Sequence, residues 1–207
     1  GVPGGGDARG RAVRGAAEPV VKLLLAALFA LGIALVVFGS PFADPAADMV
    51  SAITMNFVEE ALGIAEAARR AAMPVAISFT VETDGRLPTG QTLQAAIEQV
   101  EGETSAYPSY YMINCAHPTH FEHVLAQGGA FRERIRGLRA NASRKSHAEL
   151  NDSTELDAGD PAELGAQYAA LRRHLPHLHI VGGCCGTDDR HVERMAAACA
   201  PLIRAGA

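Results

Sequence analysis

The sequence predicts an α/β protein built on a parallel sheet. Five short apolar runs, at residues 49–54, 75–81, 110–115, 135–140 and 178–181, alternate with segments of helical period. Strands that alternate with helices pair in parallel, because each helix carries the chain back across the sheet before the next strand begins. A chain of 207 residues that is 48% hydrophobic can bury a sizeable core. Its formal charge of -5 argues against nucleic acid as a partner.

The elements follow in order. After the run 49–54, apolar Val58, Ala61, Leu62, Ala65 and Ala68 recur at helical spacing, which predicts a helix over 58–72, before Pro74. The strand 75–81 ends in the polar turn Glu82-Thr83-Asp84-Gly85, in which Asp84 is read as turn-forming. A loop through Pro88 and Gly90 then leads to a helix over 92–100. The strand 110–115 is followed by a helix through 121–126, and the weaker strand 135–140 by a polar loop over 141–159. Pro161 opens a helix to 175, and the strand 178–181 precedes a closing helix over 188–203 with Asp188 at its N-cap.

The chain before residue 46 has a different character. Residues 1–19 are rich in Gly, Ala and Arg and are expected to be disordered. Residues 20–38 are apolar apart from Lys22, long enough for a bilayer span, and are preceded by Arg9, Arg11 and Arg14. Two domains are therefore expected: 1–45, a basic stretch plus an apolar segment foreign to the sheet, and 46–207, the α/β domain. The alternative reading makes 20–38 a membrane anchor. A secretory signal is disfavoured, because Pro41 lies two residues before the small residue Ala43.

Chemistry concentrates in Gly182-Gly183-Cys184-Cys185-Gly186-Thr187, directly after the last strand. Neighbouring cysteines are poor disulfide partners for each other, so both thiols are free to face a metal, and Cys115 ends the third strand. In a parallel barrel the carboxyl ends of the strands open onto one face, so residues about 70 apart in sequence can meet there. Three thiolates suit Zn2+ and leave a tetrahedral position for a substrate. The placement of the cysteines suits a reducing compartment, and Cys199, within an alanine-rich helix, reads as a small buried hydrophobe. His117, His120 and His123 read as loop packing and a solvated face, and His174, His177 and His179 as structural or exposed. The acidic stretch 149–160 reads as a solvated loop, while Asn141 and Ser143 follow the fourth strand and lie within reach of the site.

Asn114-Cys115 after a strand, together with Gly182-Gly183-Cys184-Cys185-Gly186-Thr187 before the last helix, resembles the zinc-dependent homocysteine S-methyltransferases. Thr54-Met55-Asn56 with Glu59-Glu60-Ala61, and Ser78-Phe79-Thr80 with Asp84-Gly85, support the likeness. The resemblance implies a partial (β/α)8 TIM-type barrel, roughly strands 4 to 8. It implies zinc held by Cys115, Cys184 and Cys185, with the thiol of homocysteine in the fourth position, and methyl transfer from a sulfonium or ammonium donor such as S-methylmethionine to give methionine. It assigns Asn114 and Thr187 to orienting the thiolates and Thr54 and Ser78 to the amino-acid end of homocysteine. Where many members carry a glutamate, this chain has Ile53. A cytoplasmic location is expected. The competing reading is a truncated, catalytically inactive zinc-binding relative, anchored in a membrane through 20–38.

Overall fold

The structure, a computed structural model, describes residues 47–204, with side chains through residue 201. The expectations for residues 1–45 lie outside the described residues. Five strands, β1 (Val50–Met55), β2 (Val75–Phe79), β3 (Tyr110–Asn114), β4 (Ile135–Ala140) and β5 (Ile180–Gly183), form one sheet in the order β1-β2-β3-β4-β5. Every pairing is parallel. Between and after them run α1 (Val58–Arg70), α2 (Leu93–Thr104), α3 (Pro118–Ala126), α4 (His147–Asn151), α5 (Pro161–Leu171) and α6 (Asp189–Arg204).

Local chemistry starts these helices. The Thr92 side chain accepts from Ala95 N at the head of α2. Asp160 accepts from Ala162 N before Pro161 at the head of α5, where proline's missing N–H is no loss. Glu59 and Glu60 open α1, and Arg69 and Arg70 close it, in the sense the helix dipole favours. α6 begins at Asp189, and the carboxylate of Asp188 accepts from Arg190 N.

All five residues of β2 are buried, as are most of β3 and β4, so the middle of the sheet is the centre of the core. Phe79 and Tyr111 stack there with ring centroids 6.3 Å apart. β1 and β5 are the edges of the sheet among the described residues, and Ile53 on β1 is 45% exposed.

The structure corrects three expectations. The polar loop over 141–159 contains a helix, α4, started by a capping box in which Ser146 and Glu149 satisfy each other's backbone N–H. His117 and His120 are buried rather than on a solvated face. His117 Nδ1 caps α3 by accepting from Thr119 N, and His120 Nε2 donates to the Arg144 carbonyl. The helix expected to reach 175 ends at Leu171. Cys199 is buried, as read from its alanine-rich surroundings.

Candidate metal centre

β4 carries none of the three cysteines, yet it brings them together. Cys115 follows β3 on one side of it, and Cys184 and Cys185 follow β5 on the other. Backbone pairing continues past the strand ends: Cys115 N donates to Arg139 O at 3.0 Å, Cys184 N to Ala140 O at 2.8 Å, and Ala142 N to Cys185 O at 3.0 Å. The three sulfur atoms consequently lie within 4.8 Å of one another.

Two residues at these strand ends hold a left-handed backbone that non-glycine residues rarely adopt: Thr54 with φ 61° and Cys115 with φ 54°. Such strain costs of order 1–3 kcal/mol and persists only where neighbours hold it. At Cys115 the hold is visible. Its carbonyl accepts from Asn141 Nδ2 at 3.0 Å, from His147 Nε2 at 2.6 Å and from Thr80 Oγ1 at 3.5 Å. Thr54 is held by Asn114, whose Oδ1 accepts from Thr54 N at 2.9 Å and whose Nδ2 donates to Thr54 Oγ1 at 2.7 Å. That leaves the Thr54 hydroxyl proton free to face Cys115 Sγ, 3.9 Å away.

The three thiols are electrostatically one group. Cys184 ionises first: the hydrogen bond from the Cys115 thiol outweighs burial and, with the backbone N–H and thiol of Cys185, pulls its pKa down to about 5. Cys115, as the donor of that bond and partly buried, is pushed up. Cys185 is raised by burial and by the Cys184 charge. Three thiols crowded together with one readily ionised form the donor set that zinc prefers. Thiolates about 2.3 Å from a common ion lie about 3.8 Å apart in a tetrahedron, so the observed cluster fits such an ion with small movements.

The cluster opens into a cavity of about 880 Å³. Cys115 and Cys185 line it, with Thr54, Thr80, Asn141 and Ser143 from the strand ends. Residues 153–157 form its far wall. This wall is tied down: Ser143 Oγ donates to Asp157 Oδ2 at 2.6 Å, and His191 Nε2 donates to Ala158 O at 2.8 Å. Gly186, at φ 78°, lets the Asp157 carbonyl approach the cysteine loop, where a β-carbon would meet it at 2.7 Å. The acidic stretch is solvated over most of its length, and its end at Asp157 and Ala158 is tied down beside the site.

Among the residues assigned by resemblance, Thr54 lines the cavity. Ser78 and Asn114 do not: both are buried beneath it, Ser78 Oγ donating to Asn114 Oδ1 at 2.5 Å. Asn114 lies against the Cys115 thiol and favours its ionised form. Thr187 touches the backbone rather than a sulfur, its hydroxyl donating to Cys184 O at 2.7 Å. The turn reading of Asp84 holds, its carboxylate accepting from Arg86 N.

Sequence reading passed over Glu82 and His147, both in the cavity wall. His147 Nε2 donates to the Cys115 carbonyl, and Nδ1 lies 3.1 Å from Glu82 Oε1. Burial lowers the imidazole pKa, but Glu82 and the Cys115 carbonyl outweigh it and leave the pKa raised. Two signals pointed here: Glu82 directly follows the predicted second strand, and Ser146-x-x-Glu149 has the capping-box spacing that starts a helix at residue 147.

Fold and site together define a parallel α/β protein with three convergent thiols at the carboxyl ends of its strands. The sequence profile of the homocysteine S-methyltransferase family matches residues 27–199, and the chain belongs to that family. The match begins inside the apolar segment 20–38, upstream of residue 46. The methionine synthase of Mycobacterium tuberculosis is 31% identical over 144 residues, covering 64% of this chain and 11% of that protein. The crystal structure of the homocysteine methyltransferase MmuM from Escherichia coli, in its apo form, superposes with a TM-score of 0.54 at 17% identity. It covers 84% of this chain and 57% of that one, a likeness of fold. The chain therefore spans only part of the length of both relatives.

Proposed function

We propose that the protein transfers a methyl group from a sulfonium or ammonium donor to the thiol of homocysteine, forming methionine, with zinc held by Cys115, Cys184 and Cys185. The observation that carries this reading is the meeting of three sulfur atoms within 4.8 Å at the mouth of a large cavity. In this reading the five strands form roughly strands 4 to 8 of a (β/α)8 barrel, whose sites lie at the carboxyl ends of the strands. Bound there, zinc supplies a lowered pKa to a thiol, keeping it as a thiolate nucleophile near neutral pH.

The chain's own residues do the rest. Glu82, Glu155 and Asp157 line the cavity, and among the described residues its wall contains no Lys or Arg. His147 lies against Glu82, so Glu155 and Asp157 remain to attract a positively charged donor. Phe57, Pro88, Leu150 and Leu156 give the same cavity an apolar side. The substrate thiolate attacks the methyl carbon. A carbon–sulfur bond forms as the donor's bond to that carbon breaks, and the departing electron pair neutralises the onium centre. The transition state disperses charge, which an apolar wall tolerates better than water does. Thr54, which lines the cavity beside Cys115, is the residue placed to meet the amino-acid end of homocysteine. Three adjacent free thiols suit a reducing compartment, and we place the protein in the cytoplasm on that ground. No helix among the described residues is long and apolar enough to cross a membrane.

The test is metal analysis of the purified protein followed by assay of methionine formed from homocysteine with S-methylmethionine or betaine as donor. One zinc per chain and turnover are expected, and both should vanish in Cys184→Ser. Turnover retained in that variant overturns the zinc mechanism. Zinc without turnover by the wild type gives instead the inactive zinc-binding relative.

A further inference from the structure

The carboxylates of the cavity differ in what they leave open. Asp157 has both oxygens engaged, Oδ2 accepting from Ser143 Oγ at 2.6 Å and Oδ1 from Gly159 N at 3.1 Å. Glu155 is exposed on the far wall. Glu82 is held from two sides. Its main chain opens the turn after β2, its N–H donating to Arg86 O at 2.7 Å and its carbonyl accepting from Gly85 N at 2.9 Å. Its Oε1 lies 3.1 Å from His147 Nδ1, and the far edge of that ring donates from Nε2 to Cys115 O at 2.6 Å. One imidazole ring thus separates the carboxylate from the main chain of Cys115. Among the described residues Oε2 has no hydrogen-bond partner, and Glu82 lines the cavity.

An ionised carboxylate accepts hydrogen bonds and cannot donate, so its open oxygen suits an N–H or O–H donor. Among the described residues the cavity wall has no Lys or Arg to supply one. A sulfonium or quaternary ammonium centre has no such hydrogen and offers charge alone. A primary ammonium offers charge and N–H groups together, the combination that makes the strongest hydrogen bonds to a carboxylate. In an α-amino thiol such as homocysteine that nitrogen lies three carbons from the sulfur, a short tether that keeps it near the cysteines. We infer that Glu82 is the specificity residue for the thiol substrate: its carboxylate, steadied by His147, receives the α-ammonium group and selects amino thiols over thiols that lack the amine. This rests on the reading of the cavity as a site of methyl transfer to a thiol, and joins to Thr54 the group that recognises the substrate's nitrogen.

Glu82→Gln keeps the shape of the side chain and an oxygen for His147 but removes the charge. Glu82→Ala removes the side chain and leaves the main-chain hydrogen bonds of the turn in place. The ligands are L-homocysteine and 4-mercaptobutanoate, which keeps the thiol and the carboxylate but has no amine. A structural role for Glu82 would weaken both ligands alike. Recognition of the ammonium weakens only the first.

Binding of each ligand to each purified protein is measured by titration calorimetry with a phosphine reductant and no methyl donor present. Zinc content and thermal unfolding are recorded alongside. Wild type is expected to bind homocysteine the more tightly of the two. Glu82→Gln should bind homocysteine about 10- to 100-fold more weakly, the size of a lost hydrogen bond between charged groups, with zinc content and affinity for 4-mercaptobutanoate unchanged. In turnover the same loss should fall on KM for homocysteine and spare kcat. If Glu82→Gln fails to fold, Glu82→Ala carries the comparison. Homocysteine affinity equal to that of wild type in a folded variant overturns the inference and leaves the methyl-transfer reading standing. Equal losses for both ligands also overturn it, because Glu82 would then act through His147 and the cysteine loop instead of on the amine. A wild type that binds neither ligand overturns the methyl-transfer reading itself, and the inference with it.

Discussion

Tyr168 offers a quantitative test of how the cysteine pair is supported from below. Its ring is fully buried on α5, and its hydroxyl joins two strands, accepting from Ala140 N at 2.7 Å and donating to Gly182 O at 2.7 Å. Tyr168→Phe keeps the ring and leaves both backbone groups without this partner. An orphaned buried group costs about 1–3 kcal/mol. Gly182 is only partly buried and can turn to water, so the two together should cost about 2–3 kcal/mol. For a domain of this size that corresponds to a fall in Tm of about 5–10 °C. Burial raises the Tyr168 pKa, so the phenol stays protonated across the neutral range and the loss should be independent of pH between about 6 and 9. Urea unfolding of the metal-free protein followed by circular dichroism, with dithiothreitol present, measures it. A loss below about 0.5 kcal/mol would refute the bridging role, because that is the size of an ordinary surface substitution.

Three further outcomes are expected. His117 is pushed down to about 4, chiefly by burial, and its ring nitrogen caps α3, a task only the neutral ring performs. The unfolded chain takes up this proton near pH 6.5, so stability from the neutral ring is fully present above that pH and is lost as pH falls toward 4. The loss is at most about 3 kcal/mol. His117→Asn, which caps without titrating, should flatten this part of the pH–stability curve, and an unchanged slope would remove His117 as its source. Gly186→Ala places a β-carbon against Asp157 O in a left-handed residue, and should cost at least about 2 kcal/mol and weaken zinc binding in a chelator competition. Cys199→Ala should leave zinc stoichiometry and affinity unchanged, since the Cys199 thiol is buried in α6 apart from the cluster; a lost equivalent of zinc would contradict that.

Much of this was readable before any coordinates, and the limit has a physical pattern. Alternating apolar runs gave the five strands because burial of a sheet leaves a direct hydrophobic signature, and the weak run at 135–140 coincides with β4. The cysteines were legible because few residue types do what thiols do. Destinations of polar side chains were not. His117 and His120 look solvated beside Pro118, yet one caps a helix and the other reaches a carbonyl 24 residues on. The acidic stretch 149–160 has the composition of a loop in water and is largely exposed, but Ser143 and His191 hold its end at Asp157 and Ala158 beside the site. A polar side chain's partner is set by tertiary contacts, which carry no periodicity along the chain. The capping-box spacing at Ser146 was the one local signal available there.

The placement of the thiols on either side of β4 also orders events in time. Cys115 leaves the ribosome about 70 residues ahead of Cys184, and the strand that must separate them comes between. Parallel pairing across helical crossovers forms slowly, because loop closure precedes any reward from contacts. During synthesis Cys115 is therefore a solitary thiol, unable to share an ion until β5 has docked. If the three thiols hold zinc as proposed, metal capture marks the end of folding of this sheet instead of seeding it, and the rate at which a refolding chain acquires zinc would report the docking of β5.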